Sequence, residues 1–195
     1  MSASILGMLL CYIFINSFTP GPGNLLAMNT TTQYGWRKGK KLIFGICCGY
    51  FFIQLFCTLV LYQLNMAFSS MLFVLKYAGV VYIIWLAIHI ALSHPEQTDV
   101  KKVPRFSTGF LLQFLNIKIY FYITTLFTVY FIPYVGDLST LVFLGFGVAA
   151  IGSVASLTWA FLGIKLQEHY EKHYKFINGL LALSLLLCAW EIALQ

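Results

Sequence analysis

The chain has 195 residues, of which 60% are hydrophobic and only 9% charged, and its mean hydropathy is +0.84. A soluble domain carries roughly 25% charged residues, so this composition indicates an integral membrane protein, with room for about six spans of about 20 residues each. The net charge of +6 does not signal a nucleic-acid partner, because the basic residues other than Lys76 and Lys118 fall in three inter-span loops, where the positive-inside rule expects them.

The first span runs from about Ile5 to Met28 and is interrupted by Phe18-Thr19-Pro20-Gly21-Pro22-Gly23-Asn24. Pro20 and Pro22 lack donors and clash with the carbonyls of Asn16 and Phe18, so the helix should break there. If it restarts with Pro22 in its first turn, the amides of Gly23, Asn24 and Leu25 become unpaired donors at the positive end of a half-helix. Broken backbone inside a bilayer is tolerated only where protein or a watery cavity satisfies it. Thr19, Pro20, Gly21, Pro22, Gly23 and Asn24 are therefore candidate ligand-binding residues. Met1 to Asn16 has neither a basic n-region nor a small-x-small cleavage pattern, so the first helix is expected to stay.

Tyr34, Trp36, Arg37, Lys38, Lys40 and Lys41 form an aromatic and basic anchor on the cytoplasmic side. Leu42 to Leu64 is a second span with few polar groups, among them Gln54, Thr58 and Gln63, and Asn65 to Ser70 is an uncharged outer turn. Met71 to Leu92 is a third span, in which Lys76 can snorkel outward and His89 is either an interface or packing group or a proton handler. Ser93 to Arg105 is a polar cytoplasmic loop.

Phe106 to Ile132 is the fourth span and Pro133 to Asp137 an outer turn. Leu138 to Leu162 is the fifth span, whose Gly145, Gly147, Gly152, Ser153 and Ser156 read as close-packing residues. Lys165 to Lys175 is a charged cytoplasmic loop, with His169 and His173 on a solvated face rather than in a metal site, and Phe176 to Leu194 is the sixth span. The five cysteines, Cys11, Cys47, Cys48, Cys57 and Cys188, lack metal-like spacing and read as small buried hydrophobes.

Lys and Arg number four, none, three, none and three from the first loop to the fifth, which places both termini outside. Each half contributes three spans, an odd number, so the second half enters from the opposite face. The expected fold is an all-α integral membrane protein of six transmembrane helices, built as two inverted three-helix repeats with a Pro/Gly-broken first helix. It is a single membrane domain over 1–195, with repeat one at about 1–92, a cytoplasmic loop at about 93–105 and repeat two at about 106–195.

Lys118 lies about 19 Å past Arg105 along a helix, near the centre of a bilayer core about 30 Å thick. A lysine there costs roughly 2.5 to 3.5 kcal/mol, so it should face a cavity and a partner, although pairing with backbone carbonyls for structure alone is the alternative. Laying Phe114-Leu115-Asn116-Ile117-Lys118 over Phe18-Thr19-Pro20-Gly21-Pro22 puts a polar or irregular patch at the same depth in both halves. Paired interruptions of this kind point to a transporter site near the midplane, which adds Asn116 and Lys118 to the candidate site.

Thr19-Pro20-Gly21-Pro22-x-Asn24, Gly79-x-x-Tyr82-x-x-Trp85-Leu86-Ala87 and Asn116-x-Lys118 together resemble the lysine-exporter (LysE/RhtB) family of bacterial amino-acid effluxers, over the whole chain. Most members carry Asn-Pro-Lys in the fourth span. This chain has Ile117 at the proline position, a departure that resembles the cysteine and O-acetylserine exporter branch and leaves open whether that span is broken. The resemblance implies secondary efflux of a small amino acid across the bacterial inner membrane, driven by the proton gradient, with no cofactor and no P-loop.

For a zwitterion, the amides of Gly23, Asn24 and Leu25 with Lys118 suit the carboxylate. The carbonyls of Asn16 and Phe18, with the side chains of Asn24 and Asn116, suit the ammonium. Threonine, homoserine or a basic amino acid remain alternative substrates, and a membrane-embedded enzyme or a scaffold subunit remain alternative classes. The enzyme lacks an acidic pair or His cluster within the spans. The expected partners are the amino acid and the lipid bilayer, with no nucleic acid; the glycine-rich fifth span can pack within one chain or across a homodimer.

Overall fold

The computed structural model describes residues 3–63, 77, 80–81, 83–92 and 105–194, and every regular element among them is helical. The expected outer turn at 65–70, Lys76, Gly79, Tyr82, the expected loop at 93–104, and the side chains of His169 and Cys188 lie outside the described residues. Helix α1 (Ala3–Phe18) stops at the two prolines, and its last bond runs from Thr19 N to Ile15 O at 2.9 Å. Helix α2 (Pro22–Gln63) opens when Leu25 N donates to Gly21 O at 2.9 Å, which leaves Pro22 where a missing donor costs nothing.

Within α2 the chain turns at Gly35, whose φ of 69° and ψ of 172° suit glycine. In a straight helix Thr30 and Gly39 would stand about 13 Å apart. Here a Cβ at Gly39 would lie 3.0 Å from Thr30 Cγ2, so the segments 22–34 and 36–63 fold back on one another. Of the expected anchor residues, Trp36, Arg37, Lys38, Lys40 and Lys41 are exposed at this turn and Tyr34 is half-buried.

Helix α3 covers 83–91, where His89 is exposed and stacks on Trp85 at 5.3 Å. Helix α4 (Phe106–Leu115) and helix α5 (Ile117–Thr125) meet at Asn116, and α5 runs on into a π-helical turn (Leu126–Phe131). Helix α6 (Leu138–Leu194) is interrupted only at His173 (φ −125°, ψ 18°). The expected charged loop Lys165–Lys175 is therefore helical apart from that residue, because its Lys, Glu and Gln residues are good helix formers whose polarity does not end a helix. Asp137 caps α6, accepting from Thr140 N and Ser139 Oγ at 2.8 Å each. These bonds, the Thr140 amide first, hold its carboxyl below its usual range.

By length and composition Pro22–Gln63 and Leu138–Leu166 can each cross a membrane, and the bent pair Phe106–Leu115 and Ile117–Phe131 makes a third candidate. Large apolar side chains cover the outside, with Phe143 75% and Phe176 74% exposed, as a hydrocarbon solvent permits. Cys11 and Cys48 share that surface, so they are not the buried hydrophobes expected of them; Cys57 is buried and Cys47 half-buried.

Two glycine-lined crossings set the interior. A Cβ at Gly45 would collide with Phe106 O and one at Gly109 with Leu42 O, and a Cβ at Gly49 would lie 2.8 Å from Phe110 O, so α2 and α4 touch backbone to backbone. Gly45-x-x-x-Gly49 is the sequence signal for this contact. On α6, Gly152 and Gly163 receive Tyr50 and Thr31, whereas Gly147 faces open space and does not pack as expected. Thr31 Oγ1 donates to Ala160 O at 2.7 Å and Thr32 Oγ1 to Gly163 O at 3.2 Å, which ties α6 to the start of α2.

Candidate functional site

The break between α1 and α2 and the break at Asn116 lie against each other. Asn116 takes φ −83° and ψ 80°, and the helices on either side of it are bent by 56°. Proline is not required for this: Asn116 N bonds Gln113 O at 3.3 Å, its carbonyl accepts from Ile119 N at 3.0 Å, and its side-chain Nδ2 donates to Gln113 Oε1 at 3.1 Å. Gln113 is anchored in turn, its Nε2 donating to Ile46 O at 3.2 Å.

Lys118, in the first turn of α5, reaches across to the other break. Its ammonium donates to Thr19 Oγ1 at 2.8 Å, Pro20 O at 3.1 Å and Thr19 O at 3.3 Å. Charge-assisted hydrogen bonds contribute roughly 1.5–3 kcal/mol each, so even two of them offset an insertion cost of about 2.5–3.5 kcal/mol. Gly21 makes the approach possible, since a Cβ there would lie 3.1 Å from Lys118 Cδ.

Asn24 holds the same break from the other side. Its Nδ2 donates to Ser17 O at 2.9 Å and to Thr19 O at 3.2 Å, and its Oδ1 accepts from Ser156 Oγ at 2.9 Å. Trp159 Nε1 takes Phe18 O at 3.1 Å. Three expectations change accordingly. The Phe18 carbonyl is occupied by Trp159, the Leu25 amide is bonded to Gly21, and the Asn24 side chain is a staple rather than a free acceptor. The amides without an intrahelical acceptor are those of Gly23 and Asn24.

Gly21, Gly23, Asn24, Gln113, Asn116 and Lys118 line a cavity of about 30 Å³ together with Ser17, Tyr50, Tyr122, Gly152 and Ser156, and Asn16, whose carbonyl was expected to face the ammonium, also lines it and accepts from Thr19 Oγ1 at 3.4 Å. Of the eight residues read from the sequence, Gly21, Gly23, Asn24, Asn116 and Lys118 line it, while Thr19 and Pro20 supply the oxygens that hold Lys118 and Pro22 shapes the restart of the helix. Asn116 Oδ1 is buried in the cavity wall without a hydrogen-bond partner, and Ser17 Oγ and Tyr122 OH are buried there close to each other without a well-formed bond. Such atoms are uncommon in native proteins and mark places where a ligand or water completes the bonding. The residues missed were Ser17, Tyr50, Gln113, Tyr122, Ser156 and Trp159. Tyr122 was within reach of sequence reasoning, since it stands four residues past Lys118 on the same helix face. Among the described residues no group of three His, Cys, Asp or Glu could hold a metal.

Comparison with known proteins gives this geometry a setting. The LysE type translocator family matches residues 14–195. The chain belongs to the LysE family. It is a helical membrane transporter and not an enzyme. It is 31% identical over 193 residues, 98% of this chain and 99% of the relative, to proteins named cysteine/O-acetylserine efflux protein from Escherichia coli (strain K12) and Shigella sonnei (strain Ss046). A protein of the same name from Escherichia coli O139:H28 shows the same identity over the same shares. No solved structure matches the chain.

Proposed function

We propose that this LysE-family transporter exports small amino acids, cysteine and O-acetylserine, from the cytoplasm across the bacterial inner membrane, driven by the proton-motive force. The proposed topology has six spans in two inverted repeats, about 1–92 and 106–195, joined by a cytoplasmic loop and with both termini outside. The substrate reading is supported by relatives named cysteine/O-acetylserine efflux proteins and by Ile117 in place of proline. The site reading rests on one observation: two helix breaks line a partly open cavity whose wall carries the unpartnered Asn116 Oδ1 beside the Ser17 and Tyr122 hydroxyls.

In this reading the amides of Gly23 and Asn24, at the positive end of α2, take the substrate carboxylate, with the Lys118 charge beside them. Asn116 Oδ1 and Ser17 Oγ accept from the ammonium, and Tyr122 OH donates to the remaining carboxylate or ester oxygen. The cavity is small, about 30 Å³, and the Lys118 bonds to Thr19 and Pro20 span the two breaks beside it, so in this reading an amino acid enters as the breaks move apart and those bonds yield. Lipid and the amino acid are the partners, with no cofactor and no nucleic acid.

Counterflow of labelled cysteine into proteoliposomes tests this. The parent should exchange cysteine and O-acetylserine, and correctly inserted Lys118→Ala should not. Exchange by Lys118→Ala at the parental rate would move the site elsewhere. Efflux at a fixed substrate gradient should fall on adding a proton uncoupler, and an unchanged rate would remove protons from the mechanism.

A further inference from the structure

A polar stripe leads away from the cavity along α2. Tyr50, Gln54 and Thr58 recur every four residues and share one face of the segment 36–63. Glycines of α6 stand opposite them. A Cβ at Gly152 would lie 2.6 Å from the Tyr50 ring, and a Cβ at Gly145 would lie 3.1 Å from Gln54 Nε2 and 3.2 Å from Thr58 Oγ1. Gly145 and Gly152 are two helical turns apart, so they form the floor of a groove on α6 that the α2 stripe overlies.

Tyr50 lines the cavity and covers Gly152, whereas Gln54 lies one turn farther on and is wholly buried. The Thr58 hydroxyl donates to Gln54 O at 2.8 Å, so toward the Gln54 side chain it can only accept, from Nε2 at 3.4 Å. Gln54 Oε1 is left with no donor. A buried acceptor without a partner is disfavoured, and an apolar residue would pack there at no such cost.

We propose that Tyr50 separates the cavity from a second polar station, Gln54 and Thr58, on an outward path between α2 and α6, where Gln54 Oε1 receives the ammonium of the passing amino acid. This rests on the exporter reading above. The direction follows from the basic anchor at 36–41, which puts the start of this segment at the cytoplasm and Gln63 outside.

The test labels single-cysteine additions from outside intact vesicles with a membrane-impermeant thiol reagent, read site by site by mass spectrometry. Gln54→Cys and Thr58→Cys should react at least tenfold faster than Phe56→Cys on the lipid-facing side, and O-acetylserine should slow both at least twofold. Rates no faster than Phe56→Cys would overturn the path. Fast labelling that O-acetylserine leaves unchanged would support the path and count against that substrate. In proteoliposomes Gln54→Leu should keep its KM for cysteine within twofold while Vmax falls about tenfold, whereas an unchanged Vmax would overturn the station.

Discussion

The two helix breaks meet at one site but have different causes. Between α1 and α2 the covalent structure forces the interruption, through two prolines and two glycines, and the exposed carbonyls are then taken by Lys118, Asn24 and Trp159. Between α4 and α5 no residue forbids a helix. The interruption at Asn116 is held by side-chain amides, Gln113 to Ile46 and Asn116 to Gln113, and it leaves one buried oxygen open. The proline-encoded break has most of its carbonyls taken by its neighbours and keeps open donors, the Gly23 and Asn24 amides, whereas the break made by tertiary contacts keeps an open acceptor, Asn116 Oδ1, so the two offer a ligand opposite chemistry.

The largest test of this contrast is Lys118→Ala, which removes the link between the breaks. Counterflow should drop by roughly a hundredfold or more, given charge-assisted bonds of about 1.5–3 kcal/mol, with Lys118→Arg retaining part of it. Asn24→Ala should come next: losing one buried and one partly buried bond to carbonyls and the buried Ser156 contact should lower stability in detergent by about 2–4 kcal/mol. A melting point equal to the parent's would mean that the prolines hold the first break unaided. Asn116→Leu loses one internal bond and should cost only about 1–2 kcal/mol, but it should reduce transport by about tenfold because it removes the open acceptor.

Smaller still is Ile117→Pro, which restores the Asn-Pro-Lys pattern. Ile117 opens α5, where a proline fits without losing a helical bond, so stability should change by less than about 1.5 kcal/mol. A larger loss would show that the Ile117 N–H matters to the second break. Asp137 is the control outside both breaks. Its carboxyl sits below its usual range, so its contribution is complete above the unfolded pKa and fades only as pH falls through the folded value. Asp137→Asn should therefore leave the pH profile of transport between about pH 5 and 8 unchanged.

The same contrast explains what the sequence disclosed. Pro20 and Pro22 act on their own backbone, so the first break could be placed to the residue, and Lys118 declared itself by its depth. The bend at Asn116 depends on Gln113 finding Ile46 O, 67 residues away in the chain, and no local pattern records that. Ser17 and Tyr122 look like ordinary span residues until the cavity brings them together. The charged run after Lys165 reads as a loop by its polarity, but its Lys, Glu and Gln residues favour a helix and the chain is helical there.

The backbone contact at Gly45, Gly49 and Gly109 has a mechanical consequence. Side chains between helices can change rotamer and let the helices slip, but carbonyls pressed against bare Cα atoms cannot. The segment of α2 after Gly35 and α4 therefore behave as one fixed frame. Any working stroke falls to the pieces outside that frame: α5 at Asn116, α1 at Gly21, and α6 where its glycines meet the Tyr50, Gln54 and Thr58 stripe.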